Sequence, residues 1–300
     1  MSIIKEINKR KIGKIEKNIS LKKNTTYKAG GRARVIVTPK NVYKLIELLK
    51  LLRENNLEYK ILGNGSNLLF SDKEYKNILI KLSKLNKCEI KDTVVKVGAG
   101  CSLIGVAYKT ANLGLTGMEF ATGIPGTIGG AVYMNAGAYK SDMGYIVSEV
   151  KVIDKNLNIA TLYNKDMNFK YRSSFLQQNK DYICIEATIV LRRGNKSLIK
   201  GVIEERKQKR NMTQPLEFPS AGSVFRNPDN DYAGRLIEVC GLKGYTIGGA
   251  QVSKKHANFI INKGNATGKD LHDLILFVQK TVLEETGVKL RIEQEFVNWE

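Results

Sequence analysis

The chain has 300 residues, 42% apolar and 26% charged, and its 49 lysines and arginines against 29 aspartates and glutamates give a formal net charge of +20. This balance fits a globular protein of one large domain or two to three smaller ones, and no apolar run reaches the ~18 residues of a membrane-spanning helix. The lysines are spread along the whole length, which reads as a basic surface whose field favours phosphates and carboxylates rather than as a nucleic-acid footprint.

Residues 1–20 read as a basic, weakly amphipathic helix or arm at the periphery, without the apolar core of a signal peptide. Ala33–Thr38 is a β-branched strand closed by Pro39. Asn41 then caps a helix in which Val42, Leu45, Ile46, Leu49 and Leu52 recur at helical spacing. Tyr59–Leu62 is the next strand, so the chain opens β-α-β. That strand runs into Gly63-Asn64-Gly65-Ser66-Asn67, a turn whose backbone N–H groups and side-chain donors form a nest suited to pyrophosphate. It lacks the third glycine of the dinucleotide fingerprint.

Ile78–Val97 holds three short strands, and Ser102–Asn112 is a helix. The stretch Gly117–Tyr139 follows, apolar and glycine-rich, with Glu119 its one charge. Glycines let a backbone approach another group closely, so such a run suits wrapping a ligand, and equally a buried turn-rich core. Its uncharged donors Thr122, Thr127, Tyr133 and Asn135 suit a flat heteroaromatic or a phosphate better than a metal. Strands resume at Val147–Asp154, Ile159–Tyr163 and Tyr182–Leu191, making a sheet-rich α+β region with the glycine loop threaded through it. Between them lies Tyr171-Arg172-Ser173-Ser174-Phe175. An arginine there is a surface ion pair or, pointing inward, a fork for a carboxylate or enolate.

Ser197–Arg210 is a charged helix, and Asn211–Ser220, with two prolines, reads as a linker at a domain boundary. Beyond it, Ser220–Pro228 places Ser223 among small residues, without the Gly-x-Ser-x-Gly pattern of a nucleophile elbow. Ala233–Val239 is a short helix stopped by Gly241, and Phe259–Asn262 a strand. Thr267–Asp270 opens the last helix as a capping box, Gly287 ends it, and Lys289–Val297 is a final strand with Arg291, Glu293 and Glu295 on one face. The four cysteines (Cys88, Cys101, Cys184, Cys240) form no CxxC pair, which argues against a metal site or disulfide framework and for a reduced, cytoplasmic setting.

Six segments in order — GNGSNLL at 63–69, GIPGTIGGAVYMNAGAY at 123–139, YRSSF at 171–175, SAGSVFRNP at 220–228, GLKGYTIGGAQVSKKHANFIIN at 241–262, and the strand carrying Glu293 — resemble the UDP-N-acetylenolpyruvoylglucosamine reductase family. The resemblance covers about Asn24 to Val297. It implies an α+β fold: an FAD-binding domain of the vanillyl-alcohol-oxidase (PCMH) type in two subdomains (1–80 and 81–212), then a substrate-binding domain (213–300). The absence of a long insertion places the chain with the shorter subtype, which lacks a mobile tyrosine-bearing loop. Gly63, Asn64, Gly65, Ser66 and Asn67 would hold the FAD pyrophosphate. Thr122, Gly123, Ile124, Pro125, Thr127, Gly129, Gly130, Asn135 and Gly137 would cradle the phosphates and the isoalloxazine.

The activity so implied is a two-step hydride relay from NADPH through non-covalent FAD to an enolpyruvyl UDP-sugar. Arg172 matches the enolate-stabilising arginine, Ser223 the proton donor, and Glu293 the assisting acid, with Glu295 on the same predicted face as its rival. Tyr171, Asn227 and His256 are placed for substrate contacts. The expected partners are the UDP-sugar and NADPH, with no nucleic acid, no membrane insertion and a monomeric chain. Two other readings are an oxidase of the same FAD superfamily and a basic RNA-binding protein. Against the second, aromatics are only 8% and no RRM- or KH-like signature occurs.

Overall fold

The computed structural model describes residues 3–299. The chain divides into two compact units: the first comprises Met1–Lys17, Val35–Gly63 and Asn77–Lys207, the second Asn18–Arg34, Asn64–Lys76 and Gln208–Glu300.

The first unit is built on a four-stranded and a five-stranded sheet. The four-stranded sheet runs in the order Gly13–Ser20, Arg32–Pro39, Tyr75–Lys81, Tyr59–Leu62, the last pair parallel. Its helix, Val42–Glu54, starts where the Asn41 side chain accepts from the Lys44 N–H, and it buries Leu45, Leu48, Leu49 and Leu52. The five-stranded antiparallel sheet runs in the order Ile159–Tyr163, Val147–Ile153, Ile183–Val190, Val94–Gly98, Cys88–Lys91. Both belong to one continuous apolar core that includes Ile80, Val95, Val97, Ala187 and Ile189.

Two expectations fail in this unit. The segment read as a peripheral helix or arm is a helix at Ile3–Lys9, but Gly13–Ser20 is a sheet strand, and Ile7 and Ile12 are fully buried rather than peripheral. The core claims the apolar positions of a basic segment. The glycine stretch is not all loop either, since Ile128–Met134 is a helix capped by Thr127. Ile128, Ala131 and Val132 fall on one helical face and are buried, and the helix lies on strands Val94–Gly98 and Ile183–Val190.

The second unit is a four-stranded antiparallel sheet in the order Ser220–Ser223, Phe259–Asn262, Ala250–Val252, Thr246–Ile247. The helix Gly268–Thr286 packs on it through Leu271, Leu274, Ile275, Val278 and Val282. The capping box is present: the Thr267 hydroxyl accepts from Asp270 N–H at 3.0 Å and the Asp270 carboxylate accepts from Thr267 N–H at 3.0 Å. The charged helix runs to Thr213, past the expected stop at Arg210.

The final strand is shorter than expected. Only Glu295–Val297 is regular, pairing in parallel with Leu68–Phe70. Just before it, Gln294 is 5% exposed, accepts from the Tyr27 hydroxyl at 2.9 Å and donates to the Ala221 carbonyl at 3.3 Å. Gln294 belongs to the same alternate set as Leu290 and Ile292, so its burial keeps the expected alternation. What is missing is regular pairing before Glu295, where Ile292 makes only an isolated bridge to Phe225.

Candidate functional site

In the second unit, Asn64–Asn67 turn at Gly65, whose φ is +62° and whose Cβ, if present, would sit 2.3 Å from the Asn24 carbonyl oxygen. Only glycine fits there. Thr26 donates its N–H to the Gly65 carbonyl at 3.3 Å, while its buried hydroxyl has no hydrogen-bond partner. An orphaned hydroxyl beside a polar turn is the group a bound phosphate or sugar would satisfy. The donors there, uncharged side chains and backbone, fit the pyrophosphate of FAD. Asn64 is exposed, and Ser66 and Asn67 are half-buried.

In the first unit, Gly63 meets the glycine stretch: a Cβ on it would lie 2.9 Å from Thr127 Oγ1. The stretch is pinned to residues 99–103 by the backbone, with Leu103 N–H donating to Gly126, Ile128 N–H to Cys101 and Gly129 N–H to Ala99 at 2.9–3.0 Å. Gly129 faces the protein, since its Cβ would meet Ala99 Cβ at 2.9 Å. Gly130 is exposed, and nothing stands closer than Thr127 Oγ1 at 3.4 Å. Thr122 donates to the Glu119 carbonyl at 3.0 Å. Gly123 and Ile124 are half-buried and Pro125 is exposed.

Asn135, 1% exposed and left-handed at φ 43°, spends both ends of its amide inside the protein. It donates to the Lys170 carbonyl and accepts from Gly144 N–H, each at 2.9 Å. The side chain therefore holds the Arg172 turn. That turn is closed by Lys170 and Ser173, which exchange backbone bonds at 3.1 and 3.0 Å. Arg172 sits in it at φ 53°, donates from Nη2 to the Gly137 carbonyl at 2.9 Å, and lies 5.0 Å from the half-exposed Tyr171 ring.

In the second unit the structure brings Ser223, Glu293, Asn67 and His256 to one neighbourhood. Ser223 pairs with Phe259 at a register shift in its strand. Gly222 beside it has φ +72° with open space where a Cβ would be, so the chain bends and leaves Ser223 approachable. Glu293 N–H donates to the Val224 carbonyl at 2.8 Å, and Asn67 donates to the Glu293 carbonyl at 3.1 Å. Glu295 N–H instead donates to the Asn67 carbonyl at 2.9 Å. Asn258 was not anticipated. It is 4% exposed, and its amide brackets Phe225, accepting from the N–H at 3.0 Å and donating to the carbonyl at 2.8 Å. The motif 241–262 contained it, but nothing local marks which asparagine turns inward.

His256 Nδ1 accepts from Asn258 N–H at 3.3 Å and its ring lies 4.8 Å from Phe259. Burial lowers its pKa below the usual histidine value, and Lys243 acts in the same direction, so the ring is neutral at pH 7. Asn227, exposed, accepts from Ala233 N–H at 3.1 Å and so holds the start of the helix Ala233–Val239.

A family model for the C-terminal domain of UDP-N-acetylenolpyruvoylglucosamine reductase matches residues 214–297, and one for an FAD binding domain matches 33–162. The UDP-N-acetylenolpyruvoylglucosamine reductase of Caldanaerobacter subterraneus subsp. tengcongensis is 48% identical over 98% of this chain and 96% of its own. That of Anoxybacillus flavithermus is 46% identical over 95% of each. The solved UDP-N-acetylenolpyruvylglucosamine reductase of Thermus caldophilus superposes with a TM-score of 0.82 at 33% identity, covering 94% of this chain and 98% of that one.

Proposed function

This chain belongs to the UDP-N-acetylenolpyruvoylglucosamine reductase family, and from that premise we propose how its residues divide the work. It is an FAD-dependent oxidoreductase that uses NADPH to reduce the enolpyruvyl group of UDP-N-acetylglucosamine enolpyruvate in peptidoglycan precursor synthesis, and it is of the shorter subtype. Bound FAD supplies the chemistry of the relay, accepting two electrons from one substrate and passing them to the other.

Asn64–Asn67, with the Thr26 hydroxyl, hold the pyrophosphate, and Gly63, Thr122–Pro125, Thr127 and Gly130 line the cofactor, while Gly137, packed on Ser141 and Asp142, serves the site through its carbonyl on Arg172. Gly129 and Asn135 serve that site through packing and through the Arg172 turn. The fork of Arg172 stabilises the carboxylate side of the enolate that develops as the double bond is reduced. The Ser223 hydroxyl protonates C2. A serine is a weak acid, and its proton moves usefully only to a strongly basic centre such as an enolate. Glu293 assists. Supporting it over Glu295 is its backbone bond to Val224, the residue after Ser223. Tyr171, Asn227 and His256 meet the substrate, and 213–300 forms the substrate-binding domain after FAD subdomains 1–80 and 81–212.

The flavin is held without a covalent bond. Both histidines lie in 213–300, and burial raises the Cys101 thiol pKa and pushes that of Cys184 up to about 12, leaving these two protonated and unreactive; the half-buried Cys88 is the other thiol of 81–212. We place the enzyme in the cytoplasm as a monomer without nucleic-acid partners; no helix among the described residues is long and apolar enough to cross a membrane.

The observation that carries this reading is the pairing of an orphaned Thr26 hydroxyl at the Gly65 turn with a Ser223–Glu293 cluster in a chain of this family. Anaerobic NADPH should bleach the bound flavin near 450 nm, and the enolpyruvyl sugar nucleotide should restore the colour. Bleaching without restoration would remove the substrate assignment.

A further inference from the structure

The helix Ile128–Met134 ends at Asn135, and like any helix it leaves its last carbonyls without intrahelical partners. The carbonyl of Tyr133 is met by two side chains from the segment after Arg172: the Ser174 hydroxyl at 2.7 Å and the Gln177 carboxamide at 3.0 Å. The same Gln177 nitrogen donates to the Arg172 carbonyl at 3.1 Å and approaches Met134 Sδ at 3.6 Å. One NH₂ group thus joins the end of the glycine-stretch helix to the backbone of Arg172. That backbone needs a clamp, because φ 53° is unfavourable for a residue with a Cβ.

We propose that Gln177 is a positioning residue: by tying the Arg172 carbonyl to the Tyr133 carbonyl it fixes the left-handed turn and aims the guanidinium, which donates to Gly137, at the reacting carboxylate. This rests on the assignment of Arg172 above. Misplacing a charge-stabilising group by about 1 Å costs on the order of 10²-fold in rate, so a looser turn slows substrate reduction far more than flavin loading, because of the residues assigned to the cofactor site only Asn135 and Gly137 adjoin this turn.

The test uses the FAD-loaded enzyme with Gln177→Leu, Gln177→Glu and Arg172→Lys. Gln177→Leu should load FAD, accept electrons from NADPH at the wild-type rate, and slow re-oxidation by the UDP-sugar about tenfold to a hundredfold. Gln177→Glu keeps the shape but sets a carboxylate against two carbonyls. Its re-oxidation rate relative to wild type should climb as pH falls from about 8 to about 5, because the neutral acid regains one donor. An independent readout is the Arg172 guanidinium NMR signal, identified by its loss in Arg172→Lys. Unlike in wild type, it should be motionally averaged in Gln177→Leu.

An unaltered guanidinium signal in Gln177→Leu would overturn the proposal, as would equal slowing of both half-reactions together with a lowered melting temperature. A normal Arg172→Lys would instead overturn the role given to Arg172, leaving the clamp to be judged by the NMR signal alone.

Discussion

Arg172 and Ser223 reach their positions by different means. Arg172 stands in a left-handed turn held by side chains that donate to carbonyls: Asn135 to Lys170, Gln177 to Arg172 itself, Ser174 to Tyr133. Ser223 stands on a sheet strand and is held by backbone: pairing with Phe259, and Glu293 N–H on the neighbouring Val224 carbonyl. A strand ladder fixes where a side chain points through register alone, and a slipped register would reverse its face. The Arg172 turn has a single bridge, Lys170 with Ser173, in place of a ladder, so the peptides inside it must be secured separately. Point substitutions should therefore perturb the Arg172 side through single bonds, and the strand position of Ser223 chiefly through the chemistry of the residue replaced, with Asn258 and Asn67 as the side-chain clamps beside it.

The most severe change expected is on the glycine side. Gly130→Val fills open space, so the apoprotein should keep its melting temperature while losing retained flavin. Gly129→Val would drive its branches into Ala99, and overpacking of this kind costs roughly 1–3 kcal/mol. Its melting temperature should fall as well. The flavin-to-protein absorbance ratio and thermal unfolding separate the two. Full flavin occupancy in Gly130→Val would move the cofactor away from this stretch.

On the strand side, Ser223→Ala should leave reduction by NADPH near normal, since hydride transfer to the flavin needs no proton from serine. Re-oxidation by substrate should slow by about 10²–10⁴, and Ser223→Cys should recover part of it. Stopped-flow flavin absorbance follows each half-reaction. Equal slowing of both would make Ser223 a shape-giving residue. A smaller effect, roughly tenfold on re-oxidation, is expected for Glu293→Gln. Glu295→Gln should be close to neutral, and the reverse order would exchange the two glutamates.

How far the sequence disclosed these two regions follows from how local their determinants are. Caps at Asn41 and Thr267, the strand into Gly63 and the helix stop at Gly287 are decided within a few residues and were legible. So was the turn at Gly65, because a glycine at φ +62° leaves a compositional trace, whereas the helix Ile128–Met134 inside the glycine stretch was not, since glycine content masks helical spacing. The burial of Gln294 was not, because its partner Tyr27 lies 267 positions away. Nor were the clamps Asn258 and Gln177, which look like any polar residue until folding turns their amides onto backbone groups. The strand Gly13–Ser20 was hidden by its lysines, whose charged ends mask the apolar positions that the sheet uses.

The smallest effect expected lies in the pH dependence of the second unit. His256 is half-buried, bonded at Nδ1 to Asn258 and placed near Lys243, and burial holds its pKa below the ordinary value near 6.5. Once the pH drops below the value of the unfolded chain, the unfolded form binds a proton that the native form still refuses. Stability conferred by the neutral ring is thus present above about pH 6.5 and declines as pH falls from there toward the native pKa. Asp273 behaves oppositely, its carboxyl held below the usual range by Lys269. Its contribution persists until the pH is below about 4, so the two windows do not overlap. Melting temperatures of wild type and His256→Gln, read between pH 7 and 5, should therefore converge or cross as pH falls, with the glutamine variant the flatter of the two. Parallel slopes would mean that the imidazole titrates alike in both states and that its bond to Asn258 does nothing to keep it neutral.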